Sequence, residues 1–326
     1  TNAGSGTGPH FVIEADEYDR AFLGLRPSVA VITTLEHDHP DCYPTFSEMR
    51  DAFAQFADQV LPGGLLIVCG EDAEAYQVAS CIQGCGRRVE TYGLDRRWNW
   101  WAEGAQLGNS AVFEVWHSSE VPGQSRAANR RCLGTCALQI PGQHNVLNSL
   151  AALAATADVG VEFGTAAAAL TRFRGTARRV EVKGQSAGIT VVDDYGHHPT
   201  EIRATLAAAQ IKYPGRDIWA VFQPHTFSRT ASLLAGFATA FDDAAHVVIT
   251  GIYPAREENT FGVSGSDIVN RMDHPDARYV DTLDGAVAIL LDQLQAGDVV
   301  ITLGAGDGYL IGERVLERLN SHGTGP

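Results

Sequence analysis

The feature that most constrains the fold is the alternation of short apolar runs with stretches of helical periodicity along the chain. The runs fall in two sets, at 10–15, 28–35, 64–70 and 88–94, and at 189–195, 217–223, 246–252 and 298–304. Runs of this length that precede helical periodicity are typical of strands buried in parallel sheets. The pattern therefore predicts an α/β protein with helices on both faces of its sheets.

The chain of 326 residues corresponds to two domains at about 150 residues each. Residues 98–140 hold aromatic side chains and alternating runs, which predicts antiparallel strands with a basic loop near 125–131. The strand–helix pattern then restarts between 174 and 185. We therefore expect two doubly wound, mostly parallel-sheet domains at 1–183 and 184–326, the first with an antiparallel side sheet. Helices are predicted from about Thr45 and near 71, 144–158, 163–173, 199–213, 228–242, 264–272, 284–294 and 308–320.

Composition excludes several function classes. The net charge of −15 argues against a surface that binds nucleic acid, and 45% hydrophobic residues exclude a disordered chain. No apolar run approaches the roughly 18 residues needed to cross a bilayer, and residues 1–10 lack the features of a signal peptide. The spacings Cys81/Cys85 and Cys132/Cys136 formally allow a zinc site, but reduced thiols fit better. We expect a cytoplasmic protein without nucleic-acid or membrane partners.

Ionisable side chains collect directly after the predicted strands. Ligands of open parallel sheets bind beyond the carboxyl ends of the strands, so these clusters mark candidate sites. The first acids, from Glu14, could merely solvate a strand end. The two histidines and two acids among residues 37–41 suit a divalent ion or a metal–phosphate complex, with a structural role as the alternative.

Two strand-to-helix corners in the second half are the clearest candidates. Pro199 keeps His198 out of helical geometry and itself suits a first helical turn. The imidazoles of His197 and His198 are therefore held at the start of a helix, where the backbone amides favour anions. His225 and Arg229 repeat the arrangement after the next strand. A cation pair there could clamp a carboxylate or a phosphate.

Three weaker signals have ordinary structural alternatives. Asn145 and Asn148 share a helix face and could meet an adenine edge, although an Asn near a helix start is most often a cap. The arginines at 178–179 could contact a phosphate from the domain junction or simply be solvated. The glycines at 304–308 resemble a dinucleotide fingerprint, but Tyr309 replaces its third glycine, which counts against a hydride-transfer enzyme.

Taken in order, seven segments resemble the Mur ligases over nearly the whole chain. They are E-A-D-E-Y-D (14–19), E-H-D-H-P-D (36–41), G-Q-H-N-V-L-N (142–148), G-T-A-R-R (175–179), D-D-Y-G-H-H-P-T-E (193–201), F-Q-P-H-T-F-S-R-T (222–230) and Y-P-A-R-E (253–257). Within the family, the fifth and sixth segments are most similar to the member that joins L-alanine to UDP-N-acetylmuramate in peptidoglycan synthesis.

The resemblance implies an ATP-dependent ligase that phosphorylates the muramate carboxylate, so that the alanine amine attacks an acyl phosphate. It implies ATP and Mg²⁺ as cofactors and UDP-N-acetylmuramate and L-alanine as small-molecule partners. The implied roles are metal binding by Glu14 and His39, ATP contacts by His144, Asn145, Asn148, Arg179 and Asp194, and contacts to alanine and the acyl phosphate by Tyr195, His197, His225 and Arg229.

The sequence departs from the family pattern in two places. Thr226 stands where some members carry an arginine. The 326 residues also contain no G-x-x-x-x-G-K-[ST] phosphate loop and no UDP-binding domain, so we expect a truncated piece that does not turn over alone. Two alternatives stay open: a related ligase that attaches a recycled tripeptide, and a nucleotide- or metal-binding module without catalysis.

Overall fold

The computed structural model of the chain describes residues 3–82, 87–119 and 129–322. In this part, the chain forms two α/β units, each built on a six-stranded sheet. The strands are β1 (Val29–Ile32), β2 (Leu65–Cys69), β3 (Arg88–Gly93), β4 (Trp100–Leu107), β5 (Ala111–Ser118), β6 (Arg130–Leu138), β7 (Glu181–Ser186), β8 (Ile189–Asp194), β9 (Ile218–Phe222), β10 (His246–Ile249), β11 (Ala277–Tyr279) and β12 (Val299–Leu303).

Helices follow many of these strands, as the sequence predicts, whereas β3 to β6 and β7 to β8 succeed one another directly. The helices are α1 (Phe46–Asp58), α2 (Ala73–Ile82), α3 (Gln143–Asp158), α4 (Phe163–Arg172), α5 (Pro199–Lys212), α6 (Phe227–Ser232), α7 (Leu234–Phe237), α8 (Gly265–Val269), α9 (Leu283–Gln293) and α10 (Tyr309–His322), with a 3₁₀ helix over Tyr18–Gly24. The Thr45 hydroxyl accepts a hydrogen bond from the Glu48 backbone N–H at 3.3 Å, so α1 begins where the sequence places its cap. Among the described residues, we find no helix with the length and apolar character to span a bilayer.

The first sheet has the order β1-β2-β3-β4-β5-β6. The neighbours from β1 to β4 pair in parallel, and β5 and β6 add antiparallel strands at one side. Every residue of β2 is buried, because α1 and α2 cover one face of the sheet and α3 and α4 the other. The predicted α/β class with an antiparallel side sheet is confirmed. Of the predicted basic loop, residues 125–128 lie outside the described part.

The second sheet has the order β11-β10-β9-β12-β8-β7, with all neighbours parallel except β7 and β8. Its two apolar faces pack on opposite helical layers. The strand β7 was not predicted, since its residues are polar and half-exposed at the sheet edge. Because β7 pairs with β8, the boundary predicted at 183 falls inside a strand of the second unit.

Two predicted elements differ in the structure. Residues 10–15 form no strand, and Phe11 and Val12 are 86% and 91% exposed, because no described strand supplies the ladder hydrogen bonds that an extended segment needs. The helix predicted over 228–242 is divided into α6 and α7, since the backbone leaves helical geometry at Leu233. The short α6 positions part of the site described next.

Candidate active site

The corner between β8 and α5 holds two imidazoles in fixed positions. His198 caps α5, its Nδ1 accepting from the Thr200 backbone N–H at 3.3 Å, and Pro199 occupies the first turn as predicted. The Glu201 carboxylate accepts from the backbone N–H groups of His197 and His198 at 2.9 and 3.2 Å. This capping arrangement directs both histidines toward the first unit.

Asp38, which follows β1, meets this corner from the other unit. Its carboxylate accepts a hydrogen bond from Arg229 Nε at 2.6 Å and lies 3.7 Å from His197 Nε2. Burial opposes ionisation of Asp38, but the neighbouring His197 imidazole and the charge and hydrogen bond of Arg229 outweigh it and hold the Asp38 pKa well below its usual range. Asp38 is therefore an anion that ties the two units together.

His39 adds a second link between the units. Its Nε2 lies 3.0 Å from Glu17 Oε1, and its Nδ1 lies 3.2 Å from Arg229 Nη2. A neutral ring protonated at Nε2 satisfies both contacts. Burial and the charge of Arg229 lower the His39 pKa, but the hydrogen bond to Glu17 and the charge of Asp38 outweigh them and raise it above its ordinary value. The hydrogen bond with His39 lowers the pKa of Glu17 correspondingly.

A further contact between the units lies beside this cluster. The Thr200 hydroxyl donates to Glu36 Oε2 at 2.7 Å, and His198 Nδ1 lies 3.1 Å from the same oxygen. Both carboxylates that cross to the second unit, Glu36 and Asp38, therefore come from the segment that follows β1.

His225 and Arg229 form the second predicted corner, after β9. Arg229 Nη1 lies 3.1 Å from His225 Nδ1, and the His225 ring stacks on Tyr253 with centroids 5.6 Å apart. Burial, together with the charge of Arg229 and the neighbouring His197 imidazole, lowers the pKa of His225 to about 4. His225 is consequently neutral near pH 7. Because its Nδ1 faces a donor, its proton resides on Nε2.

Tyr195 is the exposed member of the set. Its ring meets His197 edge-on at 5.4 Å, and the guanidinium carbons of Arg178 and Arg179 lie 4.9 and 5.8 Å from the ring centroid. Arg178 is anchored by Asp193 Oδ2 at 2.9 Å. Arg179 is half-exposed and pairs with the Glu201 carboxylate, so it is the arginine that remains accessible.

Backbone strain marks the same region. His39, Arg178 and Thr226 adopt φ values of 52°, 59° and 63°, in the left-handed region that non-glycine residues seldom occupy. Such conformations persist where surrounding contacts determine them, and they concentrate at functional sites. All three residues belong to loops that meet between the two units.

The candidate adenine residues lie at the start of α3. Asn145 Nδ2 donates to the Pro141 carbonyl at 2.6 Å and lies 3.1 Å from His144 Nε2, whereas Asn148 is exposed. Burial and the charge of Arg179 lower the pKa of His144. Arg179 therefore links the start of α3 electrostatically to the β8 corner.

The sequence does not show that Asp194 is buried and Glu14 is exposed. Asp194 is 1% exposed, and its oxygens accept from the backbone N–H groups of Val180 and Gly196 at 2.8 Å each, so it shapes the corner from inside. Glu14 is exposed, and the carboxylate that contacts His39 is that of Glu17. Across the described ranges, no group of three or more His, Cys, Asp or Glu side chains is arranged to hold a metal ion.

The cysteine spacings do not form a described zinc site. Cys132 is exposed, Cys136 is buried and both are free thiols. The alternative pair cannot be placed, because Cys85 and the side chain of Cys81 lie outside the described residues.

Sequence reasoning placed Asp38 and Glu17 in its acidic clusters but assigned no individual role to them or to Glu201. Each lies inside one of the quoted motifs, so the motif was the available signal. The three-dimensional arrangement determines which side chain of a motif faces the other unit.

Comparison with known families agrees with this two-unit description. The profile of the Mur ligase middle domain matches residues 5–156, and that of the Mur ligase glutamate ligase domain matches residues 178–306. A UDP-N-acetylmuramate–L-alanine ligase of Roseiflexus castenholzii is 40% identical over 94% of this chain and 65% of its own length. The ligase of the same name from Frankia casuarinae is 40% identical over 99% of this chain and 69% of its own length.

Solved structures show the same fold. The UDP-N-acetylmuramate–alanine ligase of Thermotoga maritima superposes with a TM-score of 0.69 at 25% identity, over 94% of this chain and 63% of that one. A murein peptide ligase of Psychrobacter arcticus gives a TM-score of 0.63 at 24% identity, over 92% of this chain and 59% of that one. The chain thus spans about two thirds of the length of its relatives.

Proposed function

The chain belongs to the Mur ligase family, and we propose that it forms part of an ATP-dependent ligase that joins L-alanine to UDP-N-acetylmuramate in the cytoplasm. The 40% identity to relatives named for this reaction supports the choice of substrates. The observation that carries the proposal is the cluster around Arg229, where its guanidinium meets the Asp38 carboxylate and the imidazoles of His39 and His225, so that groups of both units lie together.

The cluster suits acyl-phosphate chemistry. Phosphorylation of the muramate carboxylate by ATP forms an acyl phosphate and ADP. Attack by the alanine amine then forms the amide and releases phosphate and the proton that the amine loses. Both steps develop negative charge on oxygen, which fixed donors stabilise. Arg229 supplies a delocalised cation, and the Nε2–H of neutral His225 supplies a donor without adding charge.

His197 and Tyr195 border the same space from the β8 corner and are proposed to orient alanine and the acyl phosphate. His197 is held by its contact to Asp38 and by the bond from its backbone N–H to Glu201. Such fixed orientation lowers the entropic part of the barrier for the attacking amine.

We propose that the nucleotide lies between the start of α3 and the β8 corner. His144, Asn145 and Asn148 would meet the adenine, and the accessible Arg179 would approach a phosphate. The buried Asp194 would act on the nucleotide site through the backbone of Val180 and Gly196. A structure of a Mur ligase from Thermotoga maritima in complex with ADP shares this fold at 15% identity.

The proposed magnesium ligands are Glu14 and His39. The exposed carboxylate of Glu14 is the type of hard oxygen donor that Mg²⁺ prefers. His39 can present a nitrogen only after its contacts to Glu17 and Arg229 are released. Bound beside the phosphates, the ion would neutralise part of their charge.

The decisive experiment measures phosphate release from ATP by the polypeptide that contains these 326 residues, with Mg²⁺, UDP-N-acetylmuramate and L-alanine. We expect release that requires both substrates. Release with tripeptide in place of alanine would favour the recycling ligase. ATP binding without substrate-dependent release would favour a nucleotide-binding module.

A further inference from the structure

The helix that carries Arg229 is held by contacts outside itself. The six-residue α6 is too short to be stable on its own, and it begins at Thr226, whose φ of 63° is strained. The Thr226 hydroxyl accepts from the Arg229 backbone N–H at 3.4 Å, a long bond. The position of Arg229 therefore depends on other residues that hold this turn.

The segment after β10 supplies those contacts. The Tyr253 carbonyl accepts from the Thr226 backbone N–H at 2.9 Å, and the Tyr253 backbone N–H donates to the Pro224 carbonyl at 2.8 Å. Four residues further on, Glu257 reaches α6 directly. Its Oε2 accepts from the Ser228 backbone N–H at 2.8 Å, and its Oε1 accepts from the Ser228 hydroxyl at 2.5 Å.

A carboxylate suits this position for two reasons. Both groups that Ser228 presents are donors, and an ionised carboxylate accepts from two donors at once. Its negative charge also lies at the first turn of a helix, where the unpaired N–H groups favour anions. A glutamine would offer one acceptor oxygen and direct an NH₂ group at a donor.

Ser228 precedes Arg229, so an anchor on Ser228 sets the path of the backbone from which the guanidinium extends. Arg229 is 3% exposed, and the described polar contacts of its guanidinium go to Asp38, His39 and His225. A shift of the first turn of α6 would disturb all three contacts together.

We propose that Glu257 is a positioning residue for the ligase reaction, which fixes the guanidinium of Arg229 through Ser228. The expected effect on catalysis rests on the proposed function. The expected effect on the position of Arg229 rests on the hydrogen bonds alone. Glu257 acts through Ser228 and makes no direct contact with Arg229.

The matched control is Glu258. It is exposed, borders the same cavity of about 700 Å³ between the units as Glu257 does, and has no hydrogen bond to α6 among those described. Glu257→Gln and Glu258→Gln therefore remove the same charge from neighbouring positions. Glu257→Asp retains the carboxylate but shortens its reach, so it should recover part of the loss.

The kinetic arm measures substrate-dependent phosphate release. We expect Glu257→Gln to lower kcat about tenfold, as displacement of a charge-stabilising group does, with the KM for ATP nearly unchanged. Glu258→Gln should stay within about twofold of the unsubstituted chain, since surface changes of this kind are nearly neutral. Equal kcat values for the two variants would overturn the catalytic role of Glu257.

The second arm follows the His225 imidazole by NMR titration and needs no turnover. The His225 pKa is lowered by burial, Arg229 and His197 and raised by the charges of Asp38 and Glu257. Loss of the Glu257 charge alone would therefore lower the His225 pKa further. Displacement of Arg229 would raise it, so the sign of the change separates the two effects.

We expect a higher His225 pKa in Glu257→Gln and no change in Glu258→Gln. A lower or unchanged value in a folded Glu257→Gln variant, as judged by its thermal unfolding, would overturn the proposal. If Glu257→Gln does not fold, the same titration on Ser228→Ala, which removes one of the two bonds, decides in the same way. If the unsubstituted polypeptide that contains these 326 residues releases no phosphate, the proposed function fails while the titration still tests the anchor.

Discussion

Substitution of Asp38 by asparagine tests whether the two units are held together electrostatically. Asp38→Asn preserves the shape of the side chain and one acceptor oxygen, but it removes the charge opposite Arg229. The Arg229 side chain is 4% exposed and that of Asp38 17%, so solvent screens this pair far less than it screens a surface pair.

The expected loss follows from these contacts. Removal of one partner of a buried ion pair costs about 3–5 kcal/mol, because the remaining charge stays buried. Here the asparagine oxygen can still accept from Nε, and His39 and His225 still accept from the other two guanidinium nitrogens. We therefore expect the free energy of unfolding to fall by about 1.5–3 kcal/mol, the range for a hydrogen bond to a charged group.

Urea denaturation, followed by tryptophan fluorescence, measures the loss. Asp284→Asn is the matched control, since Asp284 pairs with Arg314 at 2.7 Å while 87% exposed. Its loss should stay below about 1 kcal/mol, as for other surface pairs. Equal losses for the two variants would refute the reasoning, because Asp38 would then be screened like a surface carboxylate.

Three further predictions concern single positions. Gly304→Ala should destabilise the chain by about 2 kcal/mol in thermal unfolding, because φ is 131° and a Cβ would lie 2.5 Å from the Gln223 carbonyl oxygen. The control Gly24→Ala has open space around it and should stay within about 0.5 kcal/mol. The folded-state pKa of His225 lies below its unfolded value, so the contribution of His225 to stability is lost as the pH falls from about 6.5 toward 4. His225→Gln should therefore flatten that part of a curve of stability against pH. Arg229→Lys should retain much of the stability but raise the KM for UDP-N-acetylmuramate, which steady-state kinetics would show.

The strand-end rule predicted the edge of the second sheet well. Tyr195 after β8 and His225 after β9 lie where parallel strands end, because that geometry follows from local sequence patterns. The contact between Asp38 and Arg229 joins residues 191 positions apart, and it depends on how the two units dock, which local patterns do not specify.

The same limit applies to the roles of Glu14 and Glu17. The two acids occupy one motif, and the following turn over Tyr18–Gly24, with its positive φ values at Asp19 and Arg20, decides which of them faces His39. The predicted strand over 10–15 failed for a related reason. Apolar content indicates that a segment can form a strand, but the neighbouring strand has to be present to pair with it.

The three guanidinium nitrogens of Arg229 bind three different partners. Nε donates to the Asp38 anion, while Nη1 and Nη2 lie within hydrogen-bond distance of ring nitrogens of His225 and His39. The ion pair with Asp38 adds a charge–charge attraction that a hydrogen bond to an imidazole lacks, so an arriving substrate anion should displace an imidazole rather than Asp38. The planar guanidinium can then hold the two units together through Nε while its outer nitrogens bind substrate, a combination that the single ammonium of lysine cannot provide.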